Sequence, residues 1–199
     1  MSHVLVERAG SYVIVRGRMA FQMGPTPDKA ALAIVRLGGH REGNETAWEC
    51  AQREVFEESH LRITPLVPSI TFQCPKTTLD TEIMLEPLEN YPPPEEQPCP
   101  LIIGRHDTIH SVTAMFLATS DDDPTPSMET KALMLLTRND VLRLCSETIT
   151  LEEYQSSGGQ VLFRQQVNSE LPLKPFGQLV MLSMILARYP NVIPLSMFP

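Results

Sequence analysis

Residues 39–61, GHREGNETAWECAQREVFEESHL, decide how the rest of this chain is read. A glycine pair, Gly38-Gly39, opens into a segment with helical apolar spacing at Ala47, Trp48, Ala51 and Val55. Those residues span an arc of about 100° at the helical period. Thr46 stands where an N-cap belongs, and Glu49 three residues on completes a capping box. The segment ends in Arg53-Glu54-Val55-Phe56-Glu57-Glu58. Glu54, Glu57 and Glu58 fall at i, i+3 and i+4, so one helical face presents all three carboxylates. Like charges at that spacing repel, and a helix C-terminus favours cations over anions. Acids kept in so unfavourable a place point to a divalent cation held among them. Glu54 and Glu58 overlap the Ala47 edge of the apolar arc and Glu57 lies just outside it. The carboxylates are therefore aimed into a cleft beside the buried stripe.

This stretch resembles the Nudix box, the signature of the Nudix hydrolases. Gly39, Glu45, Arg53, Glu54, Val55, Glu57, Glu58 and Leu61 all fall at the family's spacing, eight of its nine defined positions over 23 residues. His60 departs, standing where the family has glycine. Asn44, where many members have glycine, and Leu37, where many have proline, are softer departures. His60 sits where the chain leaves the helix, a place for positive φ, so a distorted exit turn is expected there.

The resemblance implies an α/β fold, a mixed sheet in an α/β/α sandwich. It implies a pyrophosphohydrolase that uses Mg2+, or Mn2+ in its place. Glu54 and Glu58 become the core metal ligands and Glu57 a further one, with a backbone carbonyl at Gly38 or Gly39 completing the shell. Catalysis falls to Arg53, Glu54 and Glu57. By spacing, Arg53 pairs with Glu57 at i+4 and Glu49 at i−4, which orients the acids. Glu45 braces the loop at the helix entrance. The general base stays open between Glu54, Glu57 and a later-loop acid such as Glu129.

The substrate class is a small nucleotide: a nucleotide sugar such as ADP-ribose, a dinucleotide or a nucleoside triphosphate. A second reading is a Nudix-like module that senses such a metabolite without cleaving it, and a third is an isomerase on the same fold. Such sensors usually lose acids from the box, whereas Arg53, Glu54, Glu57 and Glu58 are all present here. The oligomeric state is not readable from the residues; dimers are common among relatives, which leaves a homodimer open. His40 is read as incidental, and Trp48 and Met115 as packing residues.

Composition sets the bounds. The chain has 199 residues, 42% hydrophobic and 20% charged, which suits a single folded domain over residues 1–199. A net charge of −8 and a pI near 5.1 argue against nucleic-acid or anionic-membrane partners, which select basic surfaces. No apolar run reaches the length of about 18 residues that a membrane helix needs. The start MSHVLVERAG carries Glu7 and Arg8 and lacks the core of a signal peptide. Cys50, Cys74, Cys99 and Cys145 form no CxxC pair, so they read as thiols of a reducing cytoplasm.

Strands are expected at Val4–Glu7, Tyr12–Arg16, Ala30–Leu37 (ending in a tight Gly38-Gly39 turn), Thr81–Leu85, Ser111–Thr119 and Ala132–Leu136, with further strands within 62–74. The segment 86–100, EPLENYPPPEEQPCP, reads as an exposed polyproline-like insertion. A helix capped by Asn139 or Asp140, a short helix over Leu151–Gly159 and a C-terminal helix over Pro175–Arg188 complete the expectation.

Overall fold

In the computed structural model, which describes residues 6–74, 83–88, 98–106 and 111–199, strand β1 (Val6–Val15) sets the layering. Successive side chains of a strand point to opposite faces. Tyr12 and Ile14 enter one apolar cluster, while Ala9, Val13 and Val15 enter the packing on the other face. Strand β2 (Arg18–Pro25) repeats this, with Met19, Phe21 and Met23 on the first face and Ala20 on the second. Both faces of the sheet are thus covered.

The chain continues through β3 (Leu32–Val35), β4 (Leu37–His40), helix α1 (Ala47–Ser59), β5 (Thr64–Leu66), β6 (Thr71–Cys74) and β7 (Glu86–Leu88). It goes on through β8 (Ile102–His106), β9 (Ser111–Thr119), β10 (Ala132–Leu136), α2 (Arg138–Ser146) and α3 (Leu151–Ser156). It closes with β11 (Gln160–Phe163), β12 (Leu173–Pro175) and α4 (Gly177–Arg188). Among the described residues twelve strands make one mixed sheet with the main path β11-β10-β2-β1-β9-β8-β6-β7, while β3 pairs with β2 and β12, β4 with β1, and β5 with β9. β1–β9, β6–β8 and β3–β12 are parallel pairs and the remaining pairs are antiparallel. Helix α1 packs on one face, through Ala47, Cys50, Ala51 and Val55; α2, α3 and α4 share the apolar cluster of the other. This is the expected α/β/α sandwich.

Several local expectations change. Ala30–Leu37 is two strands, not one. Val35 pairs with Gln22 of β2, whereas Leu37 pairs with Ser11 of β1, so the chain changes its pairing strand at Arg36. Gly38 and Gly39 belong to β4 and not to a turn. Gly38 lies opposite Gly10 with φ of +140°, and a Cβ on either would strike the other's strand backbone. That crowding is why glycine is needed there.

Ile83–Leu85 is not a strand, while Glu86–Leu88, read as loop, is. β7 ends the sheet path, where Pro87 can be accommodated on an edge. Within the expected polyproline insertion, 89–97 lie outside the described residues, as do Val4, Leu5, Thr81 and Glu82, and 98–100 form no regular element. Helix α2 is capped by Thr137, and Asp140 is the reciprocal partner of its capping box. Thr150 and Glu153 repeat that device on α3. Cys50, Cys99 and Cys145 are free thiols. No described helix is long and apolar enough to cross a membrane.

Candidate active site

Helix α1 is held at its start by its own sequence. Thr46 accepts from the Glu49 N–H, and the Glu49 carboxylate accepts from the Thr46 N–H at 2.7 Å. Glu49 is therefore occupied by the cap and does not pair with Arg53 as its spacing suggested. Trp48 anchors the buried side, edge-on to Phe116 with ring centres 5.2 Å apart. With the apolar stripe fixed against the sheet, the next turns carry the charged residues along its border.

Arg53 is the hub. It donates five hydrogen bonds to oxygen. Two reach Glu45, at 3.1 and 2.8 Å, one reaches the His40 carbonyl at 2.9 Å, and one each reaches Glu54 and Glu57 at 3.0 Å. The planar guanidinium fork suits this many acceptors in fixed directions. Glu45 in turn accepts from the Glu42 N–H at 2.6 Å, which ties the loop ahead of the helix to the same hub. The Arg53 hydrogen bonds, with that N–H, hold the Glu45 carboxyl down at about 2.

The three acids differ in setting. Glu54 is mostly buried and its carboxylate lies over the Gly39 backbone, where a Cβ would collide with it. Glu57 is half-exposed, and its described hydrogen bond engages Oε2 alone. Glu58 is partly buried, and its Oε2 accepts from the Gly38 N–H at 2.8 Å. Burial pushes the Glu58 carboxyl up to about 7, and the neighbouring Glu54 charge adds to the shift against the Gly38 N–H.

The surroundings close this arrangement. Thr125 and Ser127 donate backbone N–H groups to the Ser59 and Glu58 carbonyls at 2.9 and 3.2 Å, so a distant loop completes the helix C-terminus. His60 adopts a left-handed conformation, φ 58° and ψ 18°, with its N–H on the Phe56 carbonyl. The exit is an ordinary left-handed termination and not a distorted one, and the His60 ring adds a 3.2 Å contact to the Thr125 carbonyl. Glu129 lies on the same loop with its side chain exposed and its N–H on Ser127 Oγ. The His40 ring accepts from Arg8 at 2.8 Å.

Arg36 is the residue that sequence reasoning missed. It is 9% exposed, and its Nη1 donates to the Gly38 carbonyl. Glu58, Tyr12 and Glu54 act on it electrostatically, Glu58 most. Its signal was a lone charge inside the apolar run AIVRL. Gln22, also unremarked, donates to the Arg36 carbonyl and accepts from the Thr130 hydroxyl at 3.4 and 3.3 Å.

The ligand atoms on this face are all oxygens, and the Glu54 charge adds to the cost of ionising Glu58. That chemistry fits a hard divalent cation. Among the described residues no three His, Cys, Asp or Glu side chains converge into a preassembled cage. The fit is thus of donor type and placement, with final closure left to the ion.

A comparison with curated proteins returns no match. Similar solved structures include a Nudix-family hydrolase from Clostridium perfringens, at 17% identity and TM-score 0.47, covering 69% of this chain and 84% of that one. A C. elegans Ap4A hydrolase complex shows 16% identity and TM-score 0.42, covering 69% and 84%. A MutT protein from Bacillus halodurans shows 17% identity and TM-score 0.36, covering 69% and 72%. These likenesses are distant. The sequence model of the Nudix domain, by contrast, matches residues 2–149 of the 199. The chain belongs to the Nudix family, whose hydrolases act on phosphoanhydride bonds.

Proposed function

We propose that this protein is a magnesium-dependent hydrolase that cleaves the diphosphate linkage of a nucleoside diphosphate joined to another group. The observation that carries the reading is Arg53, which lashes Glu45, Glu54 and Glu57 together beside the partly buried Glu58. The substrate classes that follow are nucleotide sugars such as ADP-ribose, dinucleotides and nucleoside triphosphates. Mn2+ would serve in place of Mg2+.

Glu54, Glu57 and Glu58 would hold the ion, with the Gly38 backbone beside them. The bound ion supplies polarisation of phosphoryl oxygens and an oriented water. The chain's own contribution is alignment. Gly38 fixes one oxygen of Glu58 through its N–H. The Gly38 carbonyl accepts from Arg36 and keeps a second lone pair. Arg53 fixes one oxygen each of Glu54 and Glu57. The second Glu57 oxygen, on a half-exposed side chain, is the acceptor best placed to take a proton from water. Glu54, pressed on Gly39, and Glu129, on the exposed loop, have weaker support for that role. With a net charge of −8, the protein needs these local cations to receive an anionic substrate.

The test is a panel of nucleoside diphosphate compounds incubated with the protein, with and without Mg2+, and product identification. Mg2+-dependent cleavage of any member is expected. Tight binding across the panel with no product would replace the enzyme reading with the sensor.

A further inference from the structure

Between β3 and β4 the chain passes from pairing with β2 to pairing with β1, and the residue at the crossing is a nearly buried arginine. Such a charge is costly unless something answers it. Among the described residues no carboxylate closes an ion pair on Arg36. Its described acceptor is the Gly38 carbonyl, one peptide group away from the N–H that holds Glu58. Four charged or titratable groups act on it through space: Glu58, Tyr12 and Glu54 favour its charge, and Arg8 opposes it. The Gln22 amide holds its backbone carbonyl at 3.4 Å. The guanidinium is therefore a fixed positive charge held on the Gly38 carbonyl, beside the residue whose N–H binds Glu58.

Resting on the cation reading above, we propose that Arg36 is a positioning residue and a built-in counter-charge of the acid cluster. It holds the Gly38 carbonyl in place, and by offsetting part of the Glu54 and Glu58 charge it weakens the affinity of these acids for a divalent ion. A site that must exchange ion and product benefits from that moderation.

The sign of the effect separates this from a purely structural role. Losing a structural brace would loosen Gly38 and weaken cation binding. Losing a counter-charge strengthens it. Mn2+ binding to the full chain, followed by electron paramagnetic resonance without substrate, reads this directly. Arg36→Gln keeps a donor for the Gly38 carbonyl and loses the charge. It is expected to bind Mn2+ at least about threefold tighter, the scale of a charge interaction through partly wet protein. Arg36→Lys, which keeps the charge, is expected to stay within about twofold of the wild type by the same reasoning. Unchanged or weaker binding by a folded Arg36→Gln protein overturns the proposal. If that variant does not fold, Arg36→Met is judged by the same criterion. Absence of saturable Mn2+ binding in the wild type would instead sink the cation reading itself, and this inference with it.

Discussion

At the scale of single residues, the site is organised by one guanidinium and one acid. A lysine at position 53 would offer a compact ammonium in place of a planar fork and could not span Glu45, Glu54 and Glu57 together. Arg53→Lys is expected to lower kcat by at least about tenfold, the range found when groups that orient metal ligands are removed. A steady-state assay on any accepted substrate checks this; unchanged kcat would contradict it. Glu45 gives a second prediction. Its folded pKa lies near 2, below the ordinary carboxyl value of 4.5, so its contribution to stability is present above that ordinary value. The contribution is lost as pH falls through the folded value. Glu45→Gln should therefore lower Tm at neutral pH, and the gap to wild type should close as pH falls from about 5 toward 2. A gap that stays constant over that window would contradict the role given to Glu45.

At the scale of elements, α1 is held at both ends by different means. Its start is local: Thr46→Ala removes the side-chain acceptor of the capping box and is expected to cost about 1 kcal/mol in denaturant unfolding. Its exit depends on Thr125 and Ser127, more than sixty residues away in sequence. That difference explains what the sequence could reveal. The cap, the apolar stripe and the acid spacing are fixed by residues within four positions of each other, so they were legible. The fork at Arg36 depends on which strand Val35 and Leu37 pair with, at Gln22 or at Ser11, and no local pattern specifies it. The strand at Glu86–Leu88 was hidden because its proline is acceptable only when the strand lies on an edge, a fact of the assembled sheet. Thr137 was overlooked as a cap, although Asp140 three residues later completes the same box that identified α1. In the site itself, the Arg53–Glu57 pair was readable from spacing, whereas Glu49 was claimed by the cap and Arg36 came from another strand.

At the scale of the whole molecule, the residues after the Nudix match are built into the same sheet and core. β11 pairs with β10, β12 pairs with β3, and α4 shares the cluster lined by β1, β2 and β10. The final turns are fastened by Arg138. Its nitrogens donate to the carbonyls of Phe198, Pro190 and Ile193 at 2.9, 2.9 and 2.7 Å, and its guanidinium lies 5.4 Å from the Phe198 ring centre. Arg138→Met would leave three carbonyls without that donor. A loss of about 3 kcal/mol is expected in equilibrium unfolding. Protease sensitivity confined to residues beyond 188 would mark the release of the tail, and an unchanged unfolding midpoint would contradict the fastening.

The two-sided sandwich leaves the acid face of α1 as the place where sheet edge, glycine strand and helix meet, and the proposed chemistry belongs there. The most direct measurement is turnover of a cleaved nucleotide by wild type and Glu58→Gln across a Mg2+ titration. Wild type should be inactive without the ion, and the variant should lose at least about a hundredfold in kcat/KM, since it removes a charged ligand rather than an outer support. Turnover by Glu58→Gln at the wild-type rate and the wild-type Mg2+ requirement would contradict the assignment of this carboxylate.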